Sequence, residues 1–411
     1  MPEPRPEIRP VALPDDQRAE GRSFDEAELA LLREVLDSGT LTATKGAMTR
    51  RLESDFAERL GRAHAIALSS GSAAVHAAVA ALEAEPGEEV VTTPITDMGA
   101  LACMLAQGLI PVFADVDPRT GNVDASTVAA RLSDRTRAVV ATHLFGRLAD
   151  PAPLVSLCRT HDLRLVEDAA QAFDARHGAV VAGAYGDIAC FSFQQGKHMT
   201  TGEGGIAVTD DPGLARALRL FVNKSWPYGE TDPDHEGVAP NYRMNELTAA
   251  VAVAQLGKLD GMLASRRRAV ARFRAGIEDL AGIELPAPAR EADPAWWRLG
   301  LIVDPEFVPG GNVALGAALR RRGVGAAPRY VGKPAFACRV FRERRTFGSS
   351  EWPFPLARPE ALDWSPERFP GVRAFLDRVL VLAINERYDD DAVDRLLDAL
   401  RDARDELGGH A

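Results

Sequence analysis

Lysine is scarce in this 411-residue chain: of 48 basic residues only Lys45, Lys197, Lys224, Lys258 and Lys333 are lysines. Any chemistry that needs a primary amine therefore has a short set of candidates. Cysteine is also rare, and Cys103, Cys158, Cys190 and Cys338 stand far apart with no CxxC pair. That excludes a disulfide framework and a zinc ribbon. A basic excess is missing too, because the formal net charge is −11, which argues against a general nucleic-acid binder. Apolar residues never run together long enough to span a membrane. The opening MPEPRPEIRPVALPDDQ alternates proline with charge and lacks the apolar centre of a signal peptide, so a cytoplasmic protein is expected. The histidines include no HExxH and no pair at i, i+4, which leaves metal catalysis without its usual spacing.

What is present is the composition of a globular protein large enough for two domains, with 46% hydrophobic and 26% charged residues. An arm over residues 1–22 leads into amphipathic helices at Phe24–Asp37 and Met48–Leu60, each stopped by a glycine. Short apolar runs then alternate with helical stretches. Strands are expected at 65–68, 89–93, 110–114, 138–142 and 163–167, with helices between them. This rhythm predicts βαβ units and a mostly parallel sheet. Two further runs, 188–193 and 205–209, complete the sheet without an intervening helix. A long helix over 245–280 bridges to a smaller α+β part. The expected division is a large domain over 23–262 and a small C-terminal domain over 263–411.

In an open parallel sheet, ligands gather where strands end and helices begin. Three segments fall at such places. Ser69-Ser70-Gly71-Ser72 turns a strand into a helix, so first-turn N–H groups and the helix dipole form an anion cup. Glu167-Asp168 ends another strand with Gln171 just beyond, and the alternating pleat sends these two carboxylates to opposite faces. Lys197 lies in the turn Gln194-Gln195-Gly196-Lys197-His198 after the strand at Phe191-Ser192-Phe193. Taken singly, each has a plain structural reading: a serine cap, an acidic helix cap, a solvated lysine. Together they are the parts of a pyridoxal phosphate (PLP) site. The phosphate needs N–H donors, the ring nitrogen needs a carboxylate, and the aldehyde needs a lysine. A dinucleotide reading of Gly202-Glu203-Gly204-Gly205 fails, because an apolar strand follows where the fingerprint requires a helix.

Five motifs in order, Ser70-Gly71-Ser72-Ala73-Ala74, Glu167-Asp168-Ala169-Ala170-Gln171, Phe191-Ser192-Phe193 before Lys197, Gly202-Glu203-Gly204-Gly205 and Asn241-Tyr242-Arg243-Met244, resemble the DegT/DnrJ/EryC1/StrS family. The resemblance implies an α/β aminotransferase of PLP fold type I, with a large, mostly parallel sheet and a smaller α+β domain. It implies that Lys197 forms the Schiff base and carries protons, that Asp168 pairs with the pyridine nitrogen, and that Gln171 lies near the ring's phenolic oxygen. Gly71, Ser72 and Ser192 would hold the phosphate, joined by Asn241 from a neighbouring subunit, hence a homodimer with shared sites. Where the family usually places an aromatic residue over the ring, this chain has Asp97 or Met98, and a methionine thioether can cover a ring face. His198, Tyr228, Tyr330 and Lys333 are candidates to meet substrate. The expected reaction moves an amino group from glutamate or glutamine to a keto sugar, nucleotide-linked by preference. A keto-cyclitol or aminoglycoside intermediate is the alternative acceptor, and a catalytically silent PLP-binding regulator is the alternative of another class.

Overall fold

Short runs of valine, isoleucine, leucine and alanine form the central sheet of the computed structural model, which describes residues 10–408. Its strands are β1 (His64–Leu68), β2 (Glu89–Thr92), β3 (Ile110–Phe113), β4 (Thr136–Thr142), β5 (Arg164–Asp168), β6 (Ile188–Ser192) and β7 (Gly205–Thr209). Nearly every position in them is buried, as expected where helices cover both faces. The spatial order is β1-β7-β6-β5-β4-β2-β3. Strands β2 to β6 pair in parallel, and β7 runs against both β1 and β6. The expected sheet is therefore present, with β6 and β7 joined directly.

Helix α1 (Glu26–Ser38) begins in a capping box, Asp25 accepting from the Ala27 N–H and Glu28 from the Asp25 N–H, each at 2.9 Å. It stops at Gly39, whose φ of 68° favours glycine. Helix α2 (Met48–Leu60) has the expected boundaries. Helices α3 (Gly71–Ala80), α4 (Met98–Ala106), α5 (Ala125–Ala129), α6 (Pro151–Thr160) and α7 (Pro212–Val222) follow. The long helix α8 (Glu246–Gly276) packs on α1 and α2. By length and composition α8 could cross a membrane, but Ala249, Ala250, Val253 and Leu259 are buried in the protein core. Lys258 on α8 meets Glu28 of α1 at 2.7 Å and so pins the two helices together.

Beyond α8 lies a four-stranded antiparallel sheet: β8 (Ile283–Glu284), β9 (Arg298–Val303), β10 (Ala326–Pro328) and β11 (Val379–Ala383), in the order β8-β9-β11-β10. Helices α9 (Gly311–Arg321) and α11 (Asp390–Glu406) cover it, and α10 (Pro370–Arg378) precedes β11. Leu299, Leu301, Leu315 and Leu396 share its core with Phe273 of α8. Helix α8 runs unbroken through position 262 and so bridges the two parts. Beyond it, Phe341, Phe354, Phe369 and Phe375 join the core of the large sheet. Much of the 335–376 segment is thus a flap of the small part folded back onto the large one.

Candidate active site

Because β1, β2, β5 and β6 run in one direction, their carboxyl ends deliver Ser70, Asp97, Asp168 and Lys197 to one edge of the sheet. Antiparallel β7 begins there, with Gly205 opposite both Leu68 and Ser192. At the first corner the Ser70 hydroxyl caps α3 by accepting from the Ala73 N–H at 3.0 Å. Gly71 lies so close to β6 that a Cβ there would stand 2.5 Å from the Ser192 Cβ and 2.8 Å from its Oγ. A Cβ on Gly99 would fall 2.2 Å from the Ser72 Oγ. The N-termini of α3 and α4 therefore converge with Ser72 and Ser192, in an approach so close that only glycine fits at positions 71 and 99. Asp97 caps α4 by accepting from the Gly99 N–H at 2.8 Å. Met98 is the first helical residue, half-buried against the large core.

Asp168 ends β5 and is 6% exposed. Its Oδ1 accepts one backbone hydrogen bond, from Ala170 at 3.2 Å. Burial raises its pKa above the ordinary carboxylate range, with the Ala170 bond and then Lys197 and His143 opposing. Glu167, as the pleat requires, faces the other way. It accepts from the backbone N–H groups of Gly183, Tyr185 and Gly186 and meets His143 Nε2 at 3.1 Å. Glu167 is thus a buried brace for the loop 183–186, and Asp168 is left for the site.

Lys197 is half-buried, with its Nζ 4.3 Å from the centroid of the Trp297 ring. Burial lowers its pKa to about 8; Asp168 and Asp97 oppose that shift and Arg298 adds to it. A lysine that gives up its proton near neutrality is what amine chemistry requires. Its turn is held from outside. The Trp297 indole donates to the Gly196 carbonyl at 2.6 Å, and Arg22 donates to the Lys197 carbonyl at 2.8 Å.

Gln171 accepts from the Phe145 N–H at 2.8 Å and donates to the Tyr330 hydroxyl at 3.2 Å. Burial pushes the Tyr330 phenol up to about 12, so it stays protonated beside the site. The structure withdraws His198 from contact with substrate. Its side chain is fully buried, Nε2 meets the Ala295 carbonyl at 3.0 Å, and burial holds the ring neutral. Tyr228 lines a cleft of about 570 Å³ with Arg216 and Trp226, and Lys333 lines a cavity of about 230 Å³ with Phe336 and Trp364; neither Lys197 nor Asp168 lines either space. Asn241 is exposed, pairs through its backbone with Asn223, and is not the cap of α8, which is Asn245. Sequence reasoning missed Asp16, Arg22, Trp297 and Arg298 as neighbours of Lys197. The only signal available was a tryptophan pair beside an arginine at the start of a strand.

The chain matches the DegT/DnrJ/EryC1/StrS aminotransferase family over residues 22–401. It is 36% identical over 251 residues to GDP-perosamine synthase of Caulobacter vibrioides, covering 60% of this chain and 66% of that protein. It is 30% identical to the spore coat polysaccharide biosynthesis protein SpsC of Bacillus subtilis over 91% of this chain and 94% of the other. Among solved structures, the S. venezuelae protein DesV in complex with a ketimine intermediate superposes with a TM-score of 0.83 at 29% identity, covering 96% of this chain and 98% of that one. Fold and likenesses agree: the chain belongs to the DegT/DnrJ/EryC1/StrS aminotransferase family, PLP-dependent enzymes of fold type I.

Proposed function

We propose that this chain binds PLP at the edge of its large sheet and moves an amino group from glutamate or glutamine to a nucleotide-linked keto sugar. The observation that carries the reading is the convergence of three unlike groups on one edge. These are two helix N-termini brought together at glycines, a buried carboxylate with a raised pKa, and an amine with a lowered one. The residues fit the cofactor group by group. The α3 N-terminus with Gly71, Ser72 and Ser192 suits a phosphate. Asp168 suits a protonated ring nitrogen, since a cationic partner would offset the cost of its burial. Gln171 and Tyr330 offer polar contacts beside the ring, and Met98 at the start of α4 is proposed to cover its face. Bound there, PLP would supply a carbonyl that captures amines and a ring that takes up the electron pair left when a Cα–H bond breaks.

The protein's own work is then positional and acid–base. Lys197 Nζ holds and returns the proton that moves during transfer, and its lowered pKa keeps it near the working range of a general base. Asp168 keeps the ring nitrogen charged. Asn241 is proposed to reach the phosphate of a second copy of this chain, which makes the working enzyme a homodimer. The choice of a nucleotide-linked sugar draws on the likeness to GDP-perosamine synthase, and it is proposed for this chain by analogy. The test supplies 15N-labelled glutamate or glutamine with a panel of nucleotide-linked keto sugars and keto-cyclitols, and follows label into product by mass spectrometry. Label in an amino sugar nucleotide supports the reading. Label only in a cyclitol moves the substrate class, and no transfer to any acceptor from a PLP-loaded protein favours the silent regulator.

A further inference from the structure

The chain around residues 11–22 is tied down on both sides of the site. Val11 N–H donates to the Arg322 carbonyl at 2.7 Å, and Asn385 donates to the Pro14 carbonyl at 2.9 Å, both in the small part. The Asp16 carbonyl receives Arg22 Nε at 2.9 Å and Gln195 Nε2 at 2.8 Å, the latter from the lysine turn itself. Arg22 closes the loop by donating to the Lys197 carbonyl. At the centre the Asp16 carboxylate, 6% exposed, meets Arg298 Nη2 at 2.6 Å. The Arg298 guanidinium lies 4.8 Å from the same Trp297 ring on which Lys197 Nζ rests. Asp16 is the one carboxylate paired with Arg298 among the described residues, and Arg298 Nη1 is buried with no partner there.

We propose that Asp16 is a positioning residue for the aminotransferase reaction: the N-terminal strap seats Arg298 against Trp297 and thereby sets the charge that the Lys197 amine experiences. This rests on Lys197 being the reactive amine, as proposed above. The arrangement is a relay of alternating charge. Arg298 repels a second cation beside the tryptophan ring, and Asp16 neutralises part of that repulsion. The other charged or titratable groups facing Lys197 are Asp168 from β5, Asp97 from the start of α4, and Arg22 from the strap; His198 beside it is neutral through burial. Asp16 itself is pushed up by burial and pulled further down by Arg298 and Gln17, so it is a carboxylate throughout the neutral range. The strap is held at Asp16 by two bonds to its backbone carbonyl, so a side-chain change alone should leave it in place.

The test uses the full chain stripped of cofactor and follows acylation of the Lys197-containing peptide by mass spectrometry as pH rises. Thermal melting checks that each variant is folded. In Asp16→Asn the amide oxygen can still accept from Arg298 Nη2, so the guanidinium stays seated while its charge is no longer offset, and it should disfavour the ammonium form. We expect the midpoint to fall by about half a pH unit, which is about threefold more free amine at pH 7. Asp16→Glu should restore the wild-type profile, and Arg298→Gln should raise the midpoint. In the Arg298→Gln background, Asp16→Asn should then have little further effect. An unchanged or raised midpoint in Asp16→Asn, or an equal shift with Arg298 removed, overturns the proposal. Because the readout is the free amine, failure here differs from failure of the cofactor reading, which would show instead as no PLP uptake by wild type.

Discussion

Gly71→Ala probes the close approach of α3 to β6 most sharply. The added methyl would stand 2.5 Å from the Ser192 Cβ, 2.8 Å from its Oγ and 3.2 Å from its Cα. Carbon atoms in contact rest at about 3.5–4.0 Å, so α3 and β6 must part by roughly 1 Å. Ser192 is fixed in a buried strand and cannot swing aside, so the cost should fall in the overpacking range, about 1–3 kcal/mol. Parting α3 from β6 also displaces the α3 N-terminus and Ser192, the groups proposed to hold the phosphate. Affinity for PLP should therefore drop by tenfold or more, since about 1.4 kcal/mol is a factor of ten. Absorbance titration with PLP and thermal melting of the apoprotein measure the two effects separately. The double variant Gly71→Ala, Ser192→Gly removes the clash and should recover much of the melting temperature. It should not recover PLP affinity, because the serine hydroxyl is lost. A Gly71→Ala protein that melts as wild type and binds PLP as tightly would refute the geometry of the cup.

Three further outcomes follow from the site. Lys197→Ala should keep the fold and lose turnover entirely, as read by product formation with either amino donor. Asp168→Asn should cut turnover by several orders of magnitude. The apoprotein of that variant should also melt higher than wild type at neutral pH. The folded-state pKa of Asp168 is raised, so its ionisation costs stability as pH climbs from the unfolded carboxylate value through the folded one, and the advantage of asparagine should vanish in acid. Mixing Asn241→Ala with Lys197→Ala subunits should restore about a quarter of wild-type sites if each site draws residues from two subunits; no recovery would put Asn241 and Lys197 of one site on the same subunit, and an Asn241→Ala protein that alone turns over as wild type would place Asn241 outside the site.

Much of the fold was legible because its elements announce themselves locally. Helix α2 matched residue for residue, since Gly61 with φ 65° stops a clear apolar stripe. Strand β7 matched equally well between Gly204 and the Asp210-Asp211 pair. Helix α7 was missed because Asp211-Pro212-Gly213 resembles a turn, whereas here Asp211 caps the helix and proline occupies its first position. Strand β11 and helix α10 were missed because Val379–Ala383 follows the helix directly, with no glycine or proline between them. The motif residues were readable because they sit at strand ends, where sequence order and spatial order coincide. The surroundings of Lys197 were not, because Arg22 comes from 175 residues away and the Asp16–Arg298 pair spans 282 residues. His198 shows the converse error. A polar-looking turn suggested a reachable ring, but the small part closes over it through Ala295.

The most direct test of the account is the absorbance spectrum of the purified protein reconstituted with PLP, before and after glutamate or glutamine. A band at about 410–430 nm from cofactor joined to Lys197 should appear, absent in Lys197→Ala, and should give way to one at about 330 nm as the donor surrenders its amino group. A wild-type protein that develops no such band, or one whose band persists unchanged in Lys197→Ala, would contradict it.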